Sequence, residues 1–109
     1  MHVGELPFMT TDWSAVQATE RPGQSGTATW RTVEAGEVRV RMVDYSPGYA
    51  ADHWCSRGHV LLVLAGELVT ELQDGRVFTL SSGMSYQVGN DVAPHRSRTQ
   101  GGAKLFIVD

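Results

Sequence analysis

Ala51-Asp52-His53-Trp54-Cys55-Ser56-Arg57-Gly58-His59-Val60-Leu61-Leu62-Val63-Leu64-Ala65-Gly66-Glu67-Leu68 is the stretch on which the reading of this chain turns. It opens with His53, Cys55 and His59, and it runs directly into a short apolar segment. The chain holds four histidines and one cysteine, and this stretch has two of the histidines and the cysteine. A third histidine follows in Pro94-His95. His2 stands apart and reads as a surface residue. Imidazole and thiolate are the side chains that hold zinc, iron, nickel or copper. In an extended segment alternate residues share a face, so His53 and Cys55 are expected to point the same way. Gly58 lets His59 return onto a neighbouring strand, and His95 opens another.

Outward from this stretch the chain alternates short β-forming runs with turn residues. Thr27 to Val33 is rich in β-formers, and Glu37 to Tyr45 alternates. Val38, Val40 and Met42 are expected on one face, with Glu37, Arg39 and Arg41 on the other. Ala51 to Cys55 reads as extended, His59 to Leu64 as a buried strand and Ala65-Gly66-Glu67 as a turn. A strand over Leu68 to Leu72 follows, then a hairpin through Asp74-Gly75 into Arg76 to Leu80. Met84 to Val88, His95 to Thr99 and Lys104 to Val108 complete about nine strands, with no helix longer than one turn at Asp12 to Val16. The pattern predicts an all-β sandwich or barrel. Residues 1–26 read as an irregular N-terminal arm and residues 27–109 as the barrel.

Composition narrows the function. The chain has 109 residues, which suits one domain, and its 9 basic residues are scattered against 12 acidic ones. That pattern gives no electrostatic footprint for nucleic acid. The longest apolar run, Val60 to Ala65, is too short to span a bilayer. One cysteine and no secretory leader point to a reducing, cytoplasmic setting. Ser-His-Asp order, a phosphate-cradling glycine loop and a carboxylate pair are all missing, so hydrolase and nucleotide-binding readings lack support.

The stretch from Pro47-Gly48 to Pro94-His95 resembles the two motifs of the cupin superfamily, small β-barrels of jelly-roll type. The first motif runs Gly, His-x-His, Glu, Gly. His53 and Cys55 stand at its two His positions, His59 at the Glu position and Gly66 at the closing Gly. The second motif runs from Gly83 through Met84 to Val88 and ends at Pro94-His95. Asp52-His53-Trp54-Cys55 followed by Gly58-His59 is also similar to small single-domain cupins with an Asp-His, Cys and Trp signature. Four departures stand out. His59 replaces the Glu, Cys55 replaces the second His, the Gly48 to His53 gap is one residue short, and the second motif is one residue long with Gly89 in place of Pro.

The resemblance implies a single-domain, all-β, cupin-type jelly-roll barrel holding one divalent transition metal ion (zinc, iron or nickel). His53, His59 and His95 are the implied ligands, with Cys55 as a fourth. A three-His set resembles the iron site of dioxygenases in the superfamily; adding the thiolate favours zinc. Met42, Tyr86 and Phe106 are expected to line the substrate pocket. The reading is a metalloenzyme, dioxygenase- or isomerase-like, on a small organic substrate. Its rival is a non-catalytic ligand-binding or sensing cupin with a structural or ligand-anchoring metal. Neutral ligands leave the ion's charge uncompensated, which favours an anionic partner molecule. No general base is identifiable beyond the histidines, so the catalytic residues stay unassigned. A homodimer is expected, with Phe8 and Trp13 of the arm crossing to the partner barrel.

Overall fold

The structure, a computed structural model, describes residues 3–109; His2 lies outside them. A 3₁₀ turn at Trp13–Ala15 is capped by the Asp12 carboxylate, which accepts from the Ser14 backbone N–H. Eight strands follow: β1 Ala18–Pro22, β2 Thr27–Ala35, β3 Val38–Tyr45, β4 His59–Leu72, β5 Val77–Ser81, β6 Ser85–Val88, β7 His95–Arg98 and β8 Ala103–Val108. All pairings are antiparallel. One sheet runs β1-β2-β3-β8-β4, with β6 on the far side of β4; the second places β5 and β7 on either side of the later half of β4. No helix among the described residues is long and apolar enough to cross a membrane.

Three strand expectations need correction. Residues 1–26 are not irregular throughout, because Ala18–Pro22 pairs with Thr27 to Arg31 of β2. Gly26, at φ +65°, makes the return. Ala51 to Cys55 is not a strand: a bend at Asp52 and His53 separates isolated bridges at Ala50 and Cys55. Ala65-Gly66-Glu67 is not a turn but the bend of one 14-residue strand. There the register with β8 shifts between Val63 and Ala65. Gly66 sits at φ +80°, and a Cβ on it would run into the Gly102 carbonyl. The bulge changes parity. His59, Leu61 and Val63 face inward before it; Leu68 and Thr70 face inward after it.

That switch lets β4 serve both sheets and closes the interior. Val43, Leu105 and Val63 stand abreast on β3, β8 and β4, each fully buried. Leu68, Leu80, Leu61, Ala103 and Ile107 complete the apolar cluster. One step toward the other end, the row reads Arg41, Ile107, Leu61 and Tyr86. A step further, Asp109 exchanges two backbone hydrogen bonds with Arg39 (2.6 and 2.9 Å). The barrel is therefore apolar at one end and polar at the other.

The face of β3 is the reverse of the sequence expectation. Arg39, Arg41 and Val43 point inward, and Met42 points outward, paired with Phe106. Phe106 takes the edge of Trp13, at 6.4 Å between ring centroids. The apolar side of β3 thus supports the N-terminal segment of the same chain, while its charged side lines the barrel.

Leu105 has no exposed surface and touches the centre of the cluster. Leu105→Ala is expected to lower unfolding free energy by about 2–5 kcal/mol, read by urea denaturation. Phe78→Ala, at a side chain half exposed on β5, is the control and should cost far less.

Candidate functional site

The polar end of the barrel opens into a cavity of about 800 Å³. Its wall includes His53, Cys55, His59, His95 and Tyr86, but neither Met42 nor Phe106. The two latter residues were expected in the pocket; the parity of β3 and β8 puts them outside. Tyr86 is the one pocket residue of the three.

His59 and His95 form the centre. His59 opens β4 and His95 opens β7, and both are buried. Their rings meet edge to face, with centroids 4.9 Å apart. The His95 Nδ1 lies 2.8 Å from the Ala93 carbonyl. A carbonyl only accepts, so Nδ1 carries the proton and Nε2 presents its lone pair. That Nε2 is buried and has no hydrogen-bond partner. The His59 Nε2 lies 2.8 Å from the Tyr86 hydroxyl, and its Nδ1 is likewise buried and unpartnered. Burial first, then the nearby His95 and Arg41, push the His59 imidazole down to about 4, so it is neutral near pH 7. Burial also raises the Tyr86 phenol well above its ordinary value, which keeps it a hydroxyl.

Cys55 reaches the same wall through backbone. It exchanges hydrogen bonds of 2.7 and 2.9 Å with His95. Its side chain is half-buried and forms no disulfide. His53 is different. The bend turns its ring outward, where Nδ1 meets the adjacent Asp52 carboxylate at 2.6 Å, and the side chain is 76% exposed. Trp54 carries the Arg96 guanidinium over its ring at 4.2 Å. Among the described residues no three His, Cys, Asp or Glu side chains converge closely enough to hold an ion. The structure therefore brings His59 and His95 together, sets Cys55 beside them and leaves His53 at the rim.

Sequence reading missed the third feature. Asp109 is buried, and Arg39 grips its carboxylate with two nitrogens at 2.9 and 3.0 Å. Arg41 donates from Nη2 at 3.1 Å, and the Arg57 Nε lies at 3.1 Å. Burial alone would raise the Asp109 carboxyl; the hydrogen bonds from Arg39 and the charges of Arg41, Arg39 and Arg57 outweigh it and hold the carboxyl below its usual range. Arg41 also stacks on Trp30 at 4.5 Å. The strict alternation of arginine with apolar residues in β3 was visible in the sequence; which side faced inward was not.

No family model matches the chain, and no curated protein matches it. Solved structures do. A predicted oxalate decarboxylase from Thermotoga maritima matches with TM-score 0.75 at 13% identity, over 92% of this chain and 96% of that one. A sugar phosphate isomerase from a cupin superfamily, from Silicibacter pomeroyi, matches with TM-score 0.70 at 15% identity, over 92% and 74%. Fe(II)-HppE with the alternative substrate (S)-1-HPP matches with TM-score 0.76 at 18% identity; 94% of this chain covers 60% of that one. The two-sheet barrel and these likenesses together show that the chain has the cupin fold.

The folded His59 value lies below the 6.5 of a free imidazole, so the unfolded chain takes up that proton first on acidification. This contribution to stability is complete above pH 6.5 and drains away toward pH 4. Chelator-treated protein is expected to lose about 1–2 kcal/mol from this group between pH 7 and pH 5. Urea denaturation checks it, and His59→Gln should show a correspondingly smaller loss.

Proposed function

We propose that the barrel is a metal-binding cupin that presents one divalent transition metal ion to a small organic molecule. The observation that carries this reading is the pair of buried imidazole nitrogens, His59 Nδ1 and His95 Nε2, with no partner in the cavity wall. A buried polar atom left unpaired costs free energy, and a ligand nitrogen awaiting an ion is one way such a cost is offset. The donor chemistry suits iron, nickel or zinc. His59 and His95 would hold the ion, with Cys55 beside them as a further donor; His53 would join only by swinging in from the rim. When bound, the ion would supply Lewis acidity and open coordination positions.

The chain's own groups support that role. The Ala93 carbonyl fixes the His95 tautomer and ring direction, and the Tyr86 hydroxyl, which can donate or accept, holds the direction of the His59 ring. The low His59 value keeps its ring unprotonated across the neutral range. Leu61 and Ile107 form an apolar floor beneath the pair. The structural neighbours carry names of different reactions on small organic molecules, a predicted oxalate decarboxylase and a sugar phosphate isomerase among them. We read the substrate as a small organic molecule of that size class, in either an oxidoreductase or an isomerase.

A non-catalytic, ligand-binding barrel is the second reading. It is favoured by Asp109, a buried carboxylate held ionised by three guanidinium groups and so unsuited to shuttle a proton near neutral pH.

Titration with cobalt(II) tests the ligand set. His95→Ala is expected to weaken binding by about 100-fold or more, since even loss of an outer support costs 10–100-fold. If the thiolate joins, a sulfur-to-metal charge-transfer band accompanies binding and vanishes in Cys55→Ser. Binding that is unchanged in both His59→Ala and His95→Ala contradicts the assignment.

A further inference from the structure

The chain carries a net charge of −3, yet the wall of its main cavity is rich in arginine, with Arg96 paired to Glu71 and three others sharing Asp109. Five of the 9 basic residues line it: Arg21, Arg39, Arg41, Arg57 and Arg96. Of the 12 acidic residues only Asp52 does. A concave wall of one sign, backed by low-dielectric core, concentrates counter-ions at its surface. Guanidinium groups clustered more densely than their carboxylate partners repel one another, and an incoming anion would relieve that repulsion.

Arg39, Arg41 and Arg57 sharpen the point. All three meet one carboxylate, Asp109, so a single buried negative charge is shared among three guanidinium groups. Asp109 engages four guanidinium nitrogens, Nε and Nη2 of Arg39, Nη2 of Arg41 and Nε of Arg57. Three guanidinium groups offer about fifteen N–H donors between them. The Nε of Arg41 is buried without a partner. Arg41 is only 9% exposed, and its plane is held against Trp30. Its direction is therefore fixed before any ligand arrives. Arg57 is the exposed member, with a side chain 55% exposed where it lines the cavity.

We infer that Arg39, Arg41 and Arg57 form a binding site for a small oxyanion, a carboxylate or phosphate group carried by the molecule that enters the barrel. The guanidinium fork matches both groups in a two-point contact, which an ammonium would not. Asp109 acts as the internal counter-ion that holds the three arginines together before a ligand binds. The expectation of an anionic partner drawn from the sequence rested on the charge of a bound metal. This site rests on side chains alone and stands whether or not His59 and His95 bind an ion.

Calorimetric titration of the full chain with malonate and with inorganic phosphate tests it, with malonamide as the uncharged control. Each titration is run on protein as purified and after chelator treatment. Saturable binding of at least one anion is expected in both preparations, with none for malonamide; the tighter of the two identifies carboxylate or phosphate as the favoured group. Arg57→Gln should weaken that binding by about tenfold. Asp109→Asn frees the three arginines, so it should bind the anion more tightly than the natural chain and gain more in melting temperature from it. Three results overturn the inference: no anion binding in either preparation, binding indifferent to Arg57→Gln, or binding that disappears with the chelator. The last would hand the anion to the metal, and the first would leave the metal reading untouched.

Discussion

The Asp109 carboxylate and the guanidinium groups of Arg39 and Arg41 set the polarity of this barrel. A buried guanidinium without a partner costs several kcal/mol, far more than an exposed methionine. With the carboxylate in place, β3 can turn its arginines inward. Val43 and Tyr45 then fall on the interior face, and Met42 faces out beside Phe106. The same choice determines which end of the barrel is core and which is cavity. From Val43, Leu105 and Val63 to Arg39, Asp109 and His59 is only two interior layers. Across them the environment changes from fully apolar to charged.

The histidine pair inherits its properties from that gradient. His59 lies beside apolar Leu61 and feels the positive charge of Arg41, and both effects disfavour its protonated form. His95 is oriented by the Ala93 carbonyl, which leaves its Nε2 buried without a partner. Two buried, unpartnered imidazole nitrogens suit a metal ion. The arginines oppose one, because like charges repel strongly where water is scarce. An incoming oxyanion would relieve that repulsion, and so would a thiolate from Cys55. The metal reading and the oxyanion reading therefore support each other energetically while resting on different side chains.

Much of the fold was legible in the sequence. Alternation and turn residues placed most strands, and the resemblance carried by Gly48, His53, Cys55, His59, Gly66, Gly83 and His95 supplied the type of barrel. The failures have physical reasons. Parity predicts relative faces, not which face is inside, so β3 was inverted. A glycine in a strand reads as a turn when it marks a bulge, as Gly66 does. Asp52 and His53 looked extended, but the bend between two bridges freed His53 from the alternation that would have aimed it with Cys55. Ala18–Pro22 holds a proline and two charges, and only its pairing with β2 makes it a strand. Asp109 gave no signal at all, since nothing local marks a residue whose partners are 52 to 70 positions away.

Elemental analysis of the untagged protein, purified without chelator, tests the central claim most directly. The comparison is the double variant His59→Ala/His95→Ala, with circular dichroism to establish that it folds. The account predicts near-stoichiometric iron, nickel or zinc in the natural chain and its loss in the variant. Metal retained equally in both, or none in either after supplementing the growth medium with all three, would contradict it.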